Sequence, residues 1–300
     1  MTAYVGVDVG GTKTLAVRIS RDGEVLARSR AVTRAADQDD LIGGIVALVR
    51  EVSTPDVAGL GVGLPGLVSL AGVLAYAPLF PFGPAPVAER LFAALGLPTI
   101  CDNDANCATW AEARRTPLGT TALVTVGTGL GCGMVTGGRL LHGAHGYAAE
   151  VSHLIVNPGG EACSCGQYGC FGIEATGYAI AQRARRSGVE ESHWGDTALT
   201  GEAVTEAAER GDPVSIEILT RTGELLGYGL AALANLLDPD VLIVGGGAAG
   251  PLLLDAARPA FAERLYAAGA RPPVPLELAR LGNEAGAIGA ALLGAEAAGA

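Results

Sequence analysis

Apolar and polar positions along the chain follow two periods. Residues 3–9 (AYVGVDV) form a short apolar run ended by Gly10-Gly11, and residues 14–20 (TLAVRIS) alternate, so both read as strands. Arg21-Asp22-Gly23 supplies a hairpin turn into a third strand over 24–31. Helical spacing follows over 37–52, with Leu41, Ile45, Leu48 and Val52 on one face. Residues 57–64 (VAGLGVGL) read as a buried strand that ends in Pro65-Gly66. The pattern then predicts a helix over 85–95, a brief strand over 99–101 and, after 102–106 (DNDAN), a helix to about residue 115.

At residue 121 the opening pattern returns. Residues 121–126 (TALVTV) read as a strand, Gly127-Thr128-Gly129 as a turn and 131–135 as a strand; Thr136-Gly137-Gly138 then turns into 139–141. Strand, glycine turn, strand, turn, strand thus occurs twice, 117 residues apart, which predicts two related domains with a cleft between them. Helices dominate the rest, broken by 240–244 (DVLIV), a buried strand that empties into Gly245-Gly246-Gly247. The expected fold is α/β, with domains at 1–117 and 118–284. An alanine-rich last helix within 285–300 packs back on the first domain.

Composition narrows the partners. Three hundred residues, about half of them apolar, suit two domains better than one core. The 31 acidic against 20 basic side chains give a net charge of −11, which argues against nucleic acid or an anionic membrane as partner. Lys13 is the sole lysine, a bias that codon usage explains, yet it stands inside the first glycine turn where it can meet a phosphate. The longest apolar stretch, 225–237, contains Asn235 and stops at Asp238, too short to span a bilayer. The first residues run straight into a strand with no basic leader, so a cytoplasmic location is expected, and there six cysteines are not a disulfide set.

Three groups of residues could carry chemistry. In Asp8-Val9-Gly10-Gly11-Thr12-Lys13 an acid at a strand end precedes two glycines and a hydroxyl. Such a turn can aim backbone N–H groups at a phosphate while Asp8 holds Mg²⁺ through water. An ordinary tight turn explains one such loop, but Gly127-Thr128-Gly129-Leu130-Gly131 repeats the setting, and one hairpin from each domain can grip a nucleotide. Gly246 and Gly247, after a buried strand, offer a third place for the nucleotide to lie.

His153, Cys163, Cys165 and Cys170 form H-x9-C-x-C-x4-C among four glycines, the ligand set of a closed, structural zinc site. Cys101, Cys107 and Cys132 lie in apolar surroundings and read as packing residues. In Asp102-Asn103-Asp104, a strand end before a helix, one residue can serve as an N-cap and another as a base. Asp104 is assigned the chemistry and Asn103 the positioning; Asp102 has no assignment. Glu150 could read sugar hydroxyls, and a zinc-bound His153 has a second nitrogen for the same task.

Together these segments resemble the ROK family of sugar kinases and repressors, within the actin-like ATPase superfamily of ribonuclease H-like fold. The carriers are DVGGTK (8–13), GLPG (63–66), DNDAN (102–106), GTGLGCG (127–133), AAEVSH (148–153), CSCGQYGC (163–170) and LGNEAGAIGAA (281–291), in the family's order over nearly the whole chain. The resemblance implies an ATP-dependent hexose kinase with Asp104 as general base, Mg-ATP on the two hairpins, and sugar at Gly66, Asn103, Glu150 and His153. It also implies a structural zinc and a homodimer or homotetramer. Where the family carries a sugar-contacting acid two residues after the last zinc cysteine this chain has Gly172, with Glu174 the nearest acid, expected to reach in instead. Both glycines of the family's A-G-E-x-G-H are replaced, by Ala149 and Ser152, and Leu79 stands where Asn is common. These departures leave a sugar sensor without catalysis as the alternative. A repressor is disfavoured, since the first hairpin begins at residue 3 and family repressors carry a helix-turn-helix region before it.

Overall fold

The computed structural model describes residues 2–114, 119–195 and 198–299. Its contacts divide into two units, Met1–Pro117 with Gly133–Ala149 and Asn283–Ala300, and Leu118–Cys132 with Glu150–Gly282. The domain boundary expected at 117/118, like the helix end expected at residue 115, lies outside the described residues. The grouping of Gly133–Ala149 with the first unit departs from the sequence expectation.

The first unit opens with β1 (Ala3–Val9), β2 (Lys13–Ser20) and β3 (Val25–Val32), an antiparallel meander, followed by α1 (Gln38–Val52). Then come β4 (Val57–Leu64), a small ribbon of β5 (Leu67–Val68) and β6 (Leu74–Tyr76), α2 (Val87–Leu95), β7 (Thr99–Asn103) and α3 (Asp104–Ala113). The sheet order is β3-β2-β1-β4-β7, with β1, β4 and β7 parallel. The pairing of Gly63 with Asp102 and of Leu64 with Asn103 carries β7 two residues past the strand end read from the sequence.

The chain continues through β8 (Thr120–Val126), β9 (Leu130–Thr136) and β10 (Arg139–Leu140). A loop-rich stretch leads to α4 (Phe171–Glu174), α5 (Gly177–Arg186), α6 (Gly201–Glu209) and α7 (Pro213–Leu237). After these follow β11 (Val241–Gly245), α8 (Pro251–Arg264), β12 (Leu276–Leu278) and α9 (Ala285–Ala297). The second sheet runs β10-β9-β8-β11-β12, with β8, β11 and β12 parallel. Among the described residues no helix is long and apolar enough to cross a membrane.

Side-chain alternation divides the faces of the first sheet. Val5, Val7 and Val9 of β1 pack with Leu41, Ile45, Leu48 and Val49 of α1 in one apolar cluster. The other face of β1 and β4 carries glycines, and α9 lies on it almost backbone to backbone. A Cβ added to Gly6 would sit 1.9 Å from the Ala287 carbonyl oxygen, and one added to Gly61 only 1.7 Å from that of Ala290. On its far side α9 meets α3 equally closely: a Cβ on Gly289 would lie 1.7 Å from the Cys107 carbonyl oxygen. Gly61→Ala should therefore force α9 off the sheet and lower unfolding free energy by about 3 kcal/mol or more, the upper range for overpacking, read as a reduced midpoint in urea unfolding.

Candidate active site

Three parallel strands end level with one another. Asp8 of β1 is in register with Gly63 of β4, and Gly63 with Asp102 of β7, so the candidate acids sit at carboxyl ends, where open α/β sheets place their ligands. Gly63 leaves room there: a Cβ on it would come 3.3 Å from the Asp104 Cα. Burial, and then the neighbouring Asp104 carboxylate, push the Asp8 carboxyl up to about 7. The first turn of α9 closes over the same acid, for a Cβ on Gly286 would stand 2.7 Å from Asp8 Cγ.

The turn 102–106 is bonded throughout. The Asn103 side chain caps α3, its Oδ1 accepting from the amides of Ala105 (2.9 Å) and Asn106 (3.2 Å), while its Nδ2 donates to the Gly66 carbonyl at 3.1 Å. Asp104 opens the helix, with Oδ1 accepting the Ala105 amide at 2.8 Å, and the helix N-terminus favours its negative charge. Gly66 adopts φ +100°, and a Cβ there would meet the Tyr76 carbonyl oxygen at 2.2 Å, so only glycine fits. Asp102 is buried; its Oδ1 accepts from the Asn103 amide (2.7 Å) and Asn106 Nδ2 (2.8 Å), and its Oδ2 is bonded to His142 Nε2 at 2.6 Å. Nothing in the sequence marks His142 as the partner of an acid forty residues away, and it is the principal site residue that sequence reasoning misses.

The first glycine hairpin closes with the Gly10 amide donating to the Lys13 carbonyl (3.0 Å), and Thr33 Oγ1 donates to the Gly10 carbonyl (2.7 Å). Gly11, Thr12 and Lys13 are exposed at its tip, and Leu79 lies over Gly11. Asp8 and Lys13 open onto a cavity of about 560 Å³ whose other lining residues include Arg28, Arg30 and Asn283.

In the second unit the hairpin at Gly127, Thr128, Gly129 and Gly131 closes through the Gly127 amide and the Gly129 carbonyl (2.9 Å). Gly246, at φ +93°, folds back so closely that a Cβ would meet the Val126 carbonyl oxygen at 2.5 Å, and Gly247 is exposed beside it. The Gly177 amide donates to the Gly127 carbonyl at 2.8 Å, which brings the N-terminus of α5 to the same place. Sequence reasoning missed Gly177, although Thr176, the residue before it, is an N-cap type and does cap α5.

The ligand atoms of His153, Cys163, Cys165 and Cys170 all lie within 4.8 Å of one another. Cys163 Sγ is 3.8 Å from His153 Nδ1, and Cys165 Sγ is 3.6 Å from Cys170 Sγ. These separations suit one tetrahedral ion with bonds of about 2.0–2.3 Å. Left-handed glycines make the turns: Gly169, at φ +71°, has no room for a Cβ, which would fall 1.7 Å from the Asn157 carbonyl oxygen. With Nδ1 in the cluster, Nε2 is the His153 nitrogen left for a second partner. Cys101, Cys107 and Cys132 are buried.

Glu174 is not where the sequence expectation put it. It is 1% exposed, with Oε1 accepting from Asn157 Nδ2 (3.1 Å) and the Glu161 amide (2.8 Å), and Oε2 from Arg183 (2.7 Å). Both oxygens are committed inside the unit, because the helical turn of α4 rotates residue 174 into the core, away from the face that 172 occupies. At Gly172 itself a Cβ would meet Ser152 Cβ at 3.0 Å and the Ser152 carbonyl oxygen at 3.2 Å, so a side chain there would be tightly packed. Glu150 is exposed as a residue, but neighbouring groups withdraw part of the solvent from its carboxyl and raise it above the usual range, while His153 opposes the shift. It follows Ala149, whose φ of +71° is one that glycine adopts without strain.

Two α/β units that repeat a strand-and-hairpin pattern, each with parallel strands ending at glycine turns, define an actin-like ATPase fold. The whole chain superposes on a ROK family glucokinase from Streptomyces griseus in complex with glucose and AMPPNP, with a TM-score of 0.88 at 34% identity, over 98% of this chain and 99% of that one. The chain belongs to the ROK family, whose model matches residues 4–297. It is 32% identical to the glucokinase of Streptomyces coelicolor over 99% of this chain and 98% of that protein, and 30% identical to an N-acetylmannosamine kinase of Escherichia fergusonii over 96% and 97%.

Glu174→Ala should cost about 3 kcal/mol of stability in thermal or urea unfolding, because it leaves Arg183 partly buried and unpaired. Sugar affinity measured on the fraction still folded should be unchanged.

Proposed function

We propose that this chain is an ATP-dependent sugar kinase that phosphorylates a hexose or hexose derivative, at the 6-hydroxyl, with Asp104 as general base. One observation carries the reading: Asp8 ends β1 and Asp104 follows β7, two parallel strands with β4 between them, and burial and then the Asp104 carboxylate raise the Asp8 carboxyl to about 7, beside a glycine hairpin. Such a pair suits a site that takes a cation and a phosphate. Magnesium brought with the nucleotide would supply charge neutralisation at the phosphates, near Asp8. The relatives named glucokinase and N-acetylmannosamine kinase support the activity and leave open which hexose is used.

In this reading each residue has one task. Asp104 accepts the proton of the attacking hydroxyl, held at the start of α3 by its own bond to the Ala105 amide. Gly10, Gly11, Thr12 and Lys13 bind phosphate from the first unit, and Gly127, Thr128, Gly129 and Gly131 from the second. Gly246 and Gly247 pass close to the nucleotide. Gly66 and Asn103 shape the sugar end, while Glu150 and the free nitrogen of His153 bind hydroxyls. His153, Cys163, Cys165 and Cys170 would hold a zinc ion with no open position, so its role is to fix the loop that presents His153.

Asp104→Asn should lower kcat on a sugar panel (glucose, mannose, N-acetylated hexosamines) by about 100- to 10,000-fold, as expected on removing a general base, with ATP affinity little changed in calorimetry. Activity near wild type would sink the base assignment. Sugar binding without turnover in the parent enzyme would favour a sensor, a reading that Gly172 supports.

Cys165→Ser should reduce bound zinc, measured by plasma emission on the purified protein, from about one ion per chain to well below one, and lower the melting midpoint. A metal-free parent protein with the same midpoint as the variant would refute the zinc site.

A further inference from the structure

The pair formed by Asp102 and His142 has no part in the chemistry above, yet it adjoins the turn that carries the candidate base. Asp102 is 5% exposed, so its carboxylate depends on protein donors. Oδ1 has two, the Asn103 amide at 2.7 Å and Asn106 Nδ2 at 2.8 Å, both within the turn. The donor recorded for Oδ2 is His142 Nε2, at 2.6 Å, from the loop that follows β10. That loop is itself closed, the Ala148 amide donating to the His142 carbonyl at 3.1 Å. It is seated against β5, where a Cβ on Gly146 would meet the Val68 carbonyl oxygen at 2.5 Å.

We infer that His142 is a positioning residue: by donating to the buried Asp102 it fixes the turn that aims Asp104. An ionised carboxylate only accepts, so Nε2 carries its proton whether the ring is neutral or charged. The bond to Asp102 raises the pKa of His142, and the contact survives titration of the ring. Without the imidazole, Oδ2 is a buried carboxylate oxygen with its recorded donor gone. Asp102 must then rotate to find another, and rotation releases the Asn103 amide and the Asn106 side chain. Asn103 is the cap of α3, with Oδ1 bonded to the Ala105 and Asn106 amides, and Asp104 lies between the cap and Ala105. A shift of the cap is therefore passed to the base by the backbone. Displacements of an ångström at a reacting group are enough to slow a transfer by about 100-fold.

The inference rests on the sugar kinase reading only for its kinetic test. His142→Ala should lower kcat by about 10- to 100-fold with KM for ATP within about twofold, the signature of a misplaced base with nucleotide binding intact. His142→Gln, whose amide nitrogen can reach the place of Nε2 and does not titrate, should recover most of the loss. In an Asp102→Ala background His142→Ala should add nothing, since the two act as one unit. Equal losses in both backgrounds, no recovery with Gln, or wild-type kcat in His142→Ala would each overturn the proposal. Amide hydrogen exchange gives a readout independent of activity. The Asn103, Ala105 and Asn106 amides should exchange faster in His142→Ala, while those of β1 and α9 keep wild-type rates; unchanged exchange at 103–106 also overturns it. If the parent enzyme phosphorylates no sugar, the kinase reading fails, and the exchange result alone then decides whether His142 holds the turn.

Discussion

The site depends on how closely two backbones can approach. Gly6, Gly59 and Gly61 strip the inner face of β1 and β4 of side chains, and α9 settles onto it with its carbonyls against the strands. Gly289 lets α3 lie just as near on the other side of α9. A layer of ordinary side chains would hold helices about 10 Å from a sheet. Here their axes move in, and the first turns of α3 and α9 reach the ends of the strands. Asp104 and the segment around Gly286 stand beside Asp8 because the packing beneath them is made of glycine and alanine.

That proximity sets the electrostatics. Burial withdraws solvent from Asp8 and disfavours its charge, and the Asp104 carboxylate two strands away adds to the effect. Helix N-termini offset part of the negative charge, and Lys13, Arg28 and Arg30 border the adjoining cavity. Glu284 lines the same cavity and is paired with Arg28, so the basic groups there are partly offset by acids. Under the kinase reading the pair meets the cation, and the helix ends and Lys13 meet the phosphates.

Much of this was legible in the sequence because the signals are local. The strand at 57–64, the helix read at 37–52 and found at 38–52, the glycine turns and the four spaced ligands of the knuckle each follow from a few adjacent residues. What stayed hidden depends on long-range pairing. The extension of β7 through Asn103 needs Gly63 and Leu64 as partners, and His142 meets Asp102 across forty residues. Glu174 shows the same limit from the other side. Its nearness in sequence to Gly172 suggested a substitute acid, but two residues along a helical turn rotate a side chain by about 200°, into Arg183 and the Glu161 amide.

The departures from the family pattern are themselves structured. Ser152 and Gly172 face one another across one contact, with 3.0 Å between Ser152 Cβ and an added Cβ at 172. A side chain at 172 would therefore be tight against Ser152, whose Cβ and backbone oxygen would have to give by a few tenths of an ångström. Ala149 adopts a left-handed backbone, φ +71°, at a cost of about 1 kcal/mol or more that glycine would not incur. The altered positions lie on the segments assigned to the sugar, whereas the 8–13 and 127–131 hairpins keep the family's glycines. Under the kinase reading, then, phosphate binding and proton transfer are retained, and the readjusted part of the site is the part that chooses the sugar.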